Sequence, residues 1–235
     1  MDMMKKTLAE NLPSLGLTLD DAIQDQLCAF GYAMVKQNEV MNLTGITEDD
    51  QVAKLHLIDS LTVLSCAALA GKSLIDVGCG AGFPGVPTAI ACPDAKVTLL
   101  DSLAKRMNWL ETVLPQLGVA NAECVTARAE EAIVDRRESY DYATSRAVAR
   151  LNILLELTAP YVKVGGAVLA LKGSAAREEL EEAKSAISKL GLQIEAVKDF
   201  TVDTDTVHTV IVLRKVRPTP AKYPRRYAKI KQAPL

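Results

Sequence analysis

The sequence predicts an α/β fold: a seven-stranded sheet, parallel except for an antiparallel last strand, preceded by an N-terminal helical extension. Three observations predict it. From Ser73 onward, short apolar β-prone runs alternate with helical stretches, the rhythm of parallel strands joined by crossover helices. The last two β-prone runs, 193–200 and 207–214, lie close enough to pair as an antiparallel hairpin. Before Gly71 that rhythm is absent, and apolar residues fall at helical spacing instead.

The extension reads as helices. Ile23, Leu27, Phe30, Tyr32 and Met34 place a helix over about 20–38, and Asn42-Leu43-Thr44-Gly45 is a break. Thr47 is positioned to cap a following helix, with Asp49 and Asp50 in its first turn, where acids oppose the helix dipole favourably. His56 lies in that helix as a hydrogen-bonding residue. The first strand is 73–77, followed by a helix over 84–92 and a strand over 96–101. Leu103, Met107, Leu110, Leu114 and Leu117 make a one-sided apolar stripe, with Trp109 packing beside it. Strands follow over 122–126 and 140–145, then a helix over 151–163. Gly165-Gly166 is a turn into a strand at Ala167–Leu171, and one charged amphipathic helix covers Arg177–Leu190. His208 is a strand residue of the closing hairpin. The chain divides into an extension (1–70), the sheet domain (71–216) and a tail (217–235).

The chemistry concentrates at Asp76-Val77-Gly78-Cys79-Gly80-Ala81-Gly82-Phe83-Pro84-Gly85. A strand ends in an acid, and glycines follow that let a ligand approach the backbone. The next strand ends in Asp101, where a ribose diol needs an acceptor. Gly80–Gly85 matches the G-x-G-x-x-G dinucleotide pattern literally, but the match starts late after the strand. Asp76 near a pyrophosphate would repel it and would suit a cationic ligand, so the loop favours a sulfonium nucleoside over a dinucleotide.

Asp76–Gly82 resembles the first motif of class I S-adenosylmethionine-dependent methyltransferases, whose Rossmann-like sheet ends in a similar hairpin. More specific strings are Asn42-Leu43-Thr44, His56–Leu61, Gly80–Pro87, Leu100-Asp101-Ser102, Arg128-Ala129-Glu130, Ser145-Arg146-Ala147, Leu171-Lys172-Gly173 and Tyr223-Pro224-Arg225-Arg226. Together they resemble the 16S rRNA (guanine-N7) methyltransferase G family, also called glucose-inhibited division protein B. Cys79 departs from the Ser or Thr common there. The resemblance implies methyl transfer from S-adenosylmethionine to guanine N7 of 16S rRNA. It implies cofactor contacts from Gly78, Gly80, Gly82, Phe83, Asp101, Ala129, Glu130 and Arg146. Arg146 stands beside the methyl donor as a cofactor or substrate contact. Lys172 is a candidate for an rRNA phosphate. No catalytic nucleophile or base stands out. The chain lacks a cysteine at the end of the fourth strand and an Asn/Asp-Pro-Pro-aromatic string after it. Guanine N7 needs neither, because its lone pair is free and no proton leaves.

Composition narrows the partners. Eight of the 27 basic residues fall in Thr206–Leu235, and that stretch holds none of the 29 acids. A basic end on an acidic body points to a local polyanion contact. Lys222, Arg225 and Arg226 are its candidate RNA contacts, and the prolines predict an extended, poorly packed tail. The expected partner is 16S rRNA or the small ribosomal subunit. The five cysteines form no C-x-x-C pair, so they are expected as small buried hydrophobes, with no metal site. No apolar run reaches the roughly 18 residues of a membrane span, and the N-terminus lacks a secretory pattern. These features predict a cytoplasmic monomer. Two other readings stay open on the residues alone: a dinucleotide-dependent oxidoreductase, and a non-catalytic RNA-binding protein that kept the fold.

Overall fold

The computed structural model describes residues 2–204 and 206–235. Helix α1 (Met3–Asn11) starts where the Asp2 carboxylate accepts from the Met4 N–H at 3.0 Å. Helix α2 (Asp21–Met41) is capped by Asp20, which accepts from the Ile23 N–H at 2.8 Å, and ends at Asn42 in a left-handed turn with φ 50°. The expected break lies there. Helix α3 (Asp49–Val52) then widens into a π-helical segment, Ala53–Ile58, and tightens again as α4 (Asp59–Leu61). Thr47 does not cap this run. Glu48 takes the N-cap position without a side-chain bond.

The alternating part contains β1 (Ser73–Val77), α5 (Gly85–Ala91), β2 (Lys96–Asp101), α6 (Ala104–Gln116) and β3 (Ala122–Thr126). It continues with α7 (Ala129–Ala132), β4 (Tyr140–Arg146), α8 (Leu151–Thr158) and β5 (Val162–Lys172). Helices α9 (Ala176–Glu182) and α10 (Lys184–Leu190) precede the hairpin β6 (Leu192–Asp203) and β7 (Thr206–Lys215). The sheet order is β3-β2-β1-β4-β5-β7-β6, with β7 antiparallel to both neighbours. The predicted sheet is therefore present. Two boundaries differ. Strand β5 starts at Val162, because the Gly165-Gly166 stretch stays in the strand and is absorbed by a register shift against β4 between Tyr140 and Tyr142. The charged stretch is two helices that meet at the buried Ala183.

The sheet separates two apolar layers. Along β5, Ala167, Leu169 and Leu171 face one layer, and Val168 and Ala170 the other, the period-two alternation of a strand buried on both faces. The first layer joins α5 and α6 to the N-terminal helices through Met4, Leu27, Phe30, Met34 and Leu57. The extension is thus part of the core. Trp109 packs in this layer, stacked on Phe30 at 6.2 Å between ring centres.

The tail corrects its sequence reading. It forms helix α11 (Tyr227–Gln232) and buries Tyr223 and Ile230 in the second layer. Arg225 makes a two-pronged pair with Glu156, at 2.8 and 2.6 Å. Glu156 is fully buried, so its charge needs that guanidinium. This demand, together with the two apolar anchors, overrides the extended tendency of the prolines.

Candidate active site

Parallel strands leave a crevice at their carboxyl ends where the chain reverses direction across the sheet, here between β1 and β4. The loop after β1 is stitched to β2: the Gly78 and Cys79 N–H groups both donate to the Leu100 carbonyl, at 2.7 and 3.1 Å. Asp101 closes the arrangement. Its Oδ2 accepts from the Gly80 N–H and its Oδ1 from the Leu103 N–H, each at 2.9 Å. A carboxylate oxygen has a second lone pair, so both oxygens can still accept from a vicinal diol.

A cavity of about 520 Å³ opens here, walled by Gly78, Gly80, Phe83, Asp101, Ala129, Glu130 and Arg146. Gly78 has φ +76°, and a Cβ there would lie 2.4 Å from the Val148 side chain. Gly82 is expected beside the ligand and is not there. It is buried with φ +94°, and a Cβ would meet Val86, Leu110 and Phe30. It lets the loop pack on the helices. Asp76 also differs from expectation. Its carboxylate is sealed beneath the loop, where Oδ2 accepts from the Gly85 N–H at 2.7 Å and Oδ1 has no partner among the described residues. Burial pushes its pKa up to about 7. It supports the loop from below and does not face the cavity.

On the far wall of the cavity, Tyr161 donates to the Ala129 carbonyl at 2.5 Å and fixes the start of α7. The Tyr227 N–H reaches Glu130 at 3.3 Å, so the tail helix contributes to the same wall. Cys79 also lines the cavity, but burial raises its thiol pKa well above the usual value and its sulfur contacts that of Met107 at 3.8 Å. It is not an activated nucleophile.

Opposite Asp101 stands a polar chain that the sequence did not reveal. Arg146, at the end of β4, donates through Nη1 to Asp59 at 2.7 Å and to the Leu55 carbonyl at 2.9 Å. Asp59 is buried, and its other oxygen lies 2.6 Å from His208 Nδ1 on β7. Burial alone would raise the Asp59 pKa; the bond from His208 and the Arg146 charge outweigh it and hold the group below its usual value. Arg146 Nη2 also meets His56 Nδ1 at 3.2 Å. A guanidinium only donates, so Nδ1 accepts and the proton sits on Nε2, which faces Thr44 Oγ1 at 2.8 Å. Burial and the Arg146 charge lower the His56 pKa to about 4. His56 stacks on Phe83 at 4.9 Å, and the Arg146 guanidinium lies 5.1 Å from the same ring. His56 is thus a wall of the site as well as a helix residue. Its only sequence signal was its place in the family strings.

A second cavity of about 630 Å³ shares His56, Arg146, Ala147 and Val148 with the first and extends toward Lys172. Lys172 does not reach the surface as expected. Its ammonium pairs with Glu179 at 2.8 Å and donates to the Ala149 carbonyl. Arg225 is likewise committed to Glu156. Of the expected RNA contacts, Lys222 and Arg226 are exposed, beside Lys229 and Lys231.

The cavity offers groups that fit S-adenosylmethionine: two oxygens of Asp101 that can accept from a diol, the carboxylate of Glu130, and the glycine backbone at Gly78 and Gly80. Comparison with known proteins agrees. The family described as GidB, rRNA small subunit methyltransferase G, matches residues 23–207. Ribosomal RNA small subunit methyltransferase G of Acetivibrio thermocellus is 43% identical over 99% of this chain and 97% of its own length. Its counterpart in Alkaliphilus metalliredigens is 41% identical over 94% and 95%. Among solved structures, M. jannaschii TYW2 in complex with AdoMet matches with TM-score 0.56 and 13% identity, over 68% of this chain and 76% of that one. A 16S rRNA (adenine(1408)-N(1))-methyltransferase from Catenulisporales acidiphilia matches with TM-score 0.52 and 18% identity, over 64% and 90%. These two likenesses concern the fold. The extent and identity of the sequence match place the chain in the rRNA small subunit methyltransferase G family.

Proposed function

We propose that this protein transfers the methyl group of S-adenosylmethionine to N7 of a guanine in 16S rRNA. The observation that carries the acceptor assignment is the chemistry at the junction of the two cavities. Arg146 can only donate, both nitrogens of neutral His56 are engaged, and Asp59 is buried with both oxygens engaged. None of these groups is free to take a proton. An exocyclic amine or a ring N–H would need one removed; guanine N7 does not.

The bound cofactor supplies an electrophilic methyl on a sulfonium. The chain supplies orientation and exclusion of water. Asp101 accepts from the ribose hydroxyls, Glu130 and Ala129 meet the adenine, and the backbone at Gly78 and Gly80 borders the methionine portion. Phe83, held between Phe30 and His56, keeps Arg146 aimed at the junction. Lys222, Arg226, Lys229 and Lys231 form the phosphate-contacting surface, which positions the RNA without reading bases. Mass mapping of guanines in rRNA from cells with and without the protein tests the reading. The expected result is one N7-methylguanine lost with the protein. Unchanged maps, with no transfer from labelled cofactor to unmodified small subunits, would remove it.

A further inference from the structure

The second cavity holds a donor and an acceptor side by side that the cofactor does not use. Lys172 and Glu179 lie 2.8 Å apart, nitrogen to oxygen, with side chains only 7% and 14% exposed. Glu179 Oε2 accepts from the Leu151 N–H and lies 2.8 Å from the Lys172 ammonium. Its Oε1 has no partner among the described residues. Lys172 has three N–H bonds; one goes to the Ala149 carbonyl, and the ammonium is ion-paired with Glu179. Ile46, Val148 and Leu171 supply apolar walls.

We propose that Lys172 and Glu179 read the Watson–Crick edge of the acceptor guanine, lifted out of its RNA stack into this cavity. The proposal rests on the methyl-transfer reading above. Guanine presents O6 as an acceptor next to two donors, N1–H and the 2-amino group. Lys172 meets O6, and Glu179 meets the two donors. Adenine reverses the first two and lacks the third, so it would set its 6-amino group against the ammonium. A base pulled from its stack is read in this way, by hydrogen bonds on its pairing edge and apolar contact on its faces. With that edge at Lys172, N7 on the other side of the base points toward the cavity shared with Gly78 and Arg146.

Glu179 also acts on the chemistry. The N7 lone pair forms the bond to the methyl carbon, and the sulfur–methyl bond breaks with its electron pair left on sulfur. The sulfonium becomes a neutral thioether and the guanine ring takes the positive charge; no proton leaves. That charge makes N1–H a stronger donor, so its bond to a carboxylate tightens in the transition state.

The test uses the full-length protein and small subunits from cells lacking it. Glu179→Gln keeps the shape and the bond from Leu151 but removes the counter-charge of Lys172, so its thermal midpoint should fall, while its affinity for S-adenosylhomocysteine should match wild type. Its kcat should fall and its KM for RNA should rise, lowering kcat/KM roughly 10–100-fold, the worth of a hydrogen bond to a charged group. Subunits reconstituted with inosine at the mapped target, which lacks the 2-amino group, supply a readout that a merely structural role would not move. Wild type should lose several-fold on inosine, and Glu179→Gln should lose little more. Undiminished transfer by the variant, or equal inosine penalties in both proteins, overturns the proposal and leaves methyl transfer standing. No transfer by wild type to unmodified subunits removes both.

Discussion

The two walls of the site are built on different scales. On the cofactor wall, Asp101 holds Gly80 across 21 residues within one strand–loop–strand unit, and Ala129 and Glu130 join it from α7. On the acceptor wall, Asp59 holds Arg146 across 87 residues and His208 across 149. The first wall is backbone chemistry, with glycines, strand ends and N–H groups on a carboxylate. The second is a chain of side chains from three parts of the fold, centred on the buried Asp59. The first should therefore tolerate loss of a side chain, and the second should not.

The largest expected effect is on the second wall. Asp59→Ala leaves Arg146 and His208 facing a buried gap, and breaking a buried pair costs about 3–5 kcal/mol. Urea unfolding measures it. Asp101→Ala should cost less than about 1 kcal/mol, because the carboxylate is partly exposed. It should weaken S-adenosylhomocysteine binding roughly 10–100-fold and barely change RNA affinity. Equal losses of stability in the two variants would break the comparison.

Deleting 217–235 exposes the same logic in the tail. Glu156 loses the Arg225 guanidinium and the core loses Tyr223 and Ile230, so the truncated protein should be destabilised by several kcal/mol. Replacing Lys222, Arg226, Lys229 and Lys231 by Ala should leave stability nearly unchanged. It should flatten the salt dependence of RNA binding by about 0.7–0.9 for each phosphate that is no longer neutralised. An unchanged salt slope in that variant would remove the tail from the RNA surface.

In the wild-type chain the net effect of pH is the smallest, because the walls oppose each other. His56 titrates near 4 in the folded chain against 6.5 in the unfolded one. The unfolded chain takes up more protons, so stability falls as pH drops from 6.5 through 4. Asp76 titrates near 7 when folded against 3.8 unfolded, so its contribution is present below 3.8 and is lost as pH rises through 7. The opposing slopes, at most about 1.4 kcal/mol per pH unit each, nearly cancel between these limits. Asp76→Asn should leave stability rising with pH over the acid range, and His56→Gln should leave it falling. Thermal midpoints from pH 4 to 7 check both.

The cofactor wall was largely legible from residues. Gly78, Gly80, Phe83, Asp101, Ala129, Glu130 and Arg146 all border one cavity, as their motifs suggested. The errors share a cause. Gly82 and Asp76 lie in the right motif, but the loop turns them toward protein. Lys172 and Arg225 read as free cations because the sequence does not show Glu179 or Glu156 beside them. Thr44, His56, Asp59 and His208 carry no common spacing, so nothing in the chain order joins them.

The sequence by itself determined the order of strands and helices, the glycine loop and the acid that closes it. These follow from hydrophobic period, turn chemistry and backbone hydrogen bonds, which act between near neighbours. Only the tertiary structure decided which charges are spent inside the molecule and which face a ligand. Burial makes an unpaired charge intolerable, and the partner that satisfies it can come from any distance along the chain. That is why the tail docks, why Lys172 turns inward, and why Arg146 is held by Asp59 between the two cavities.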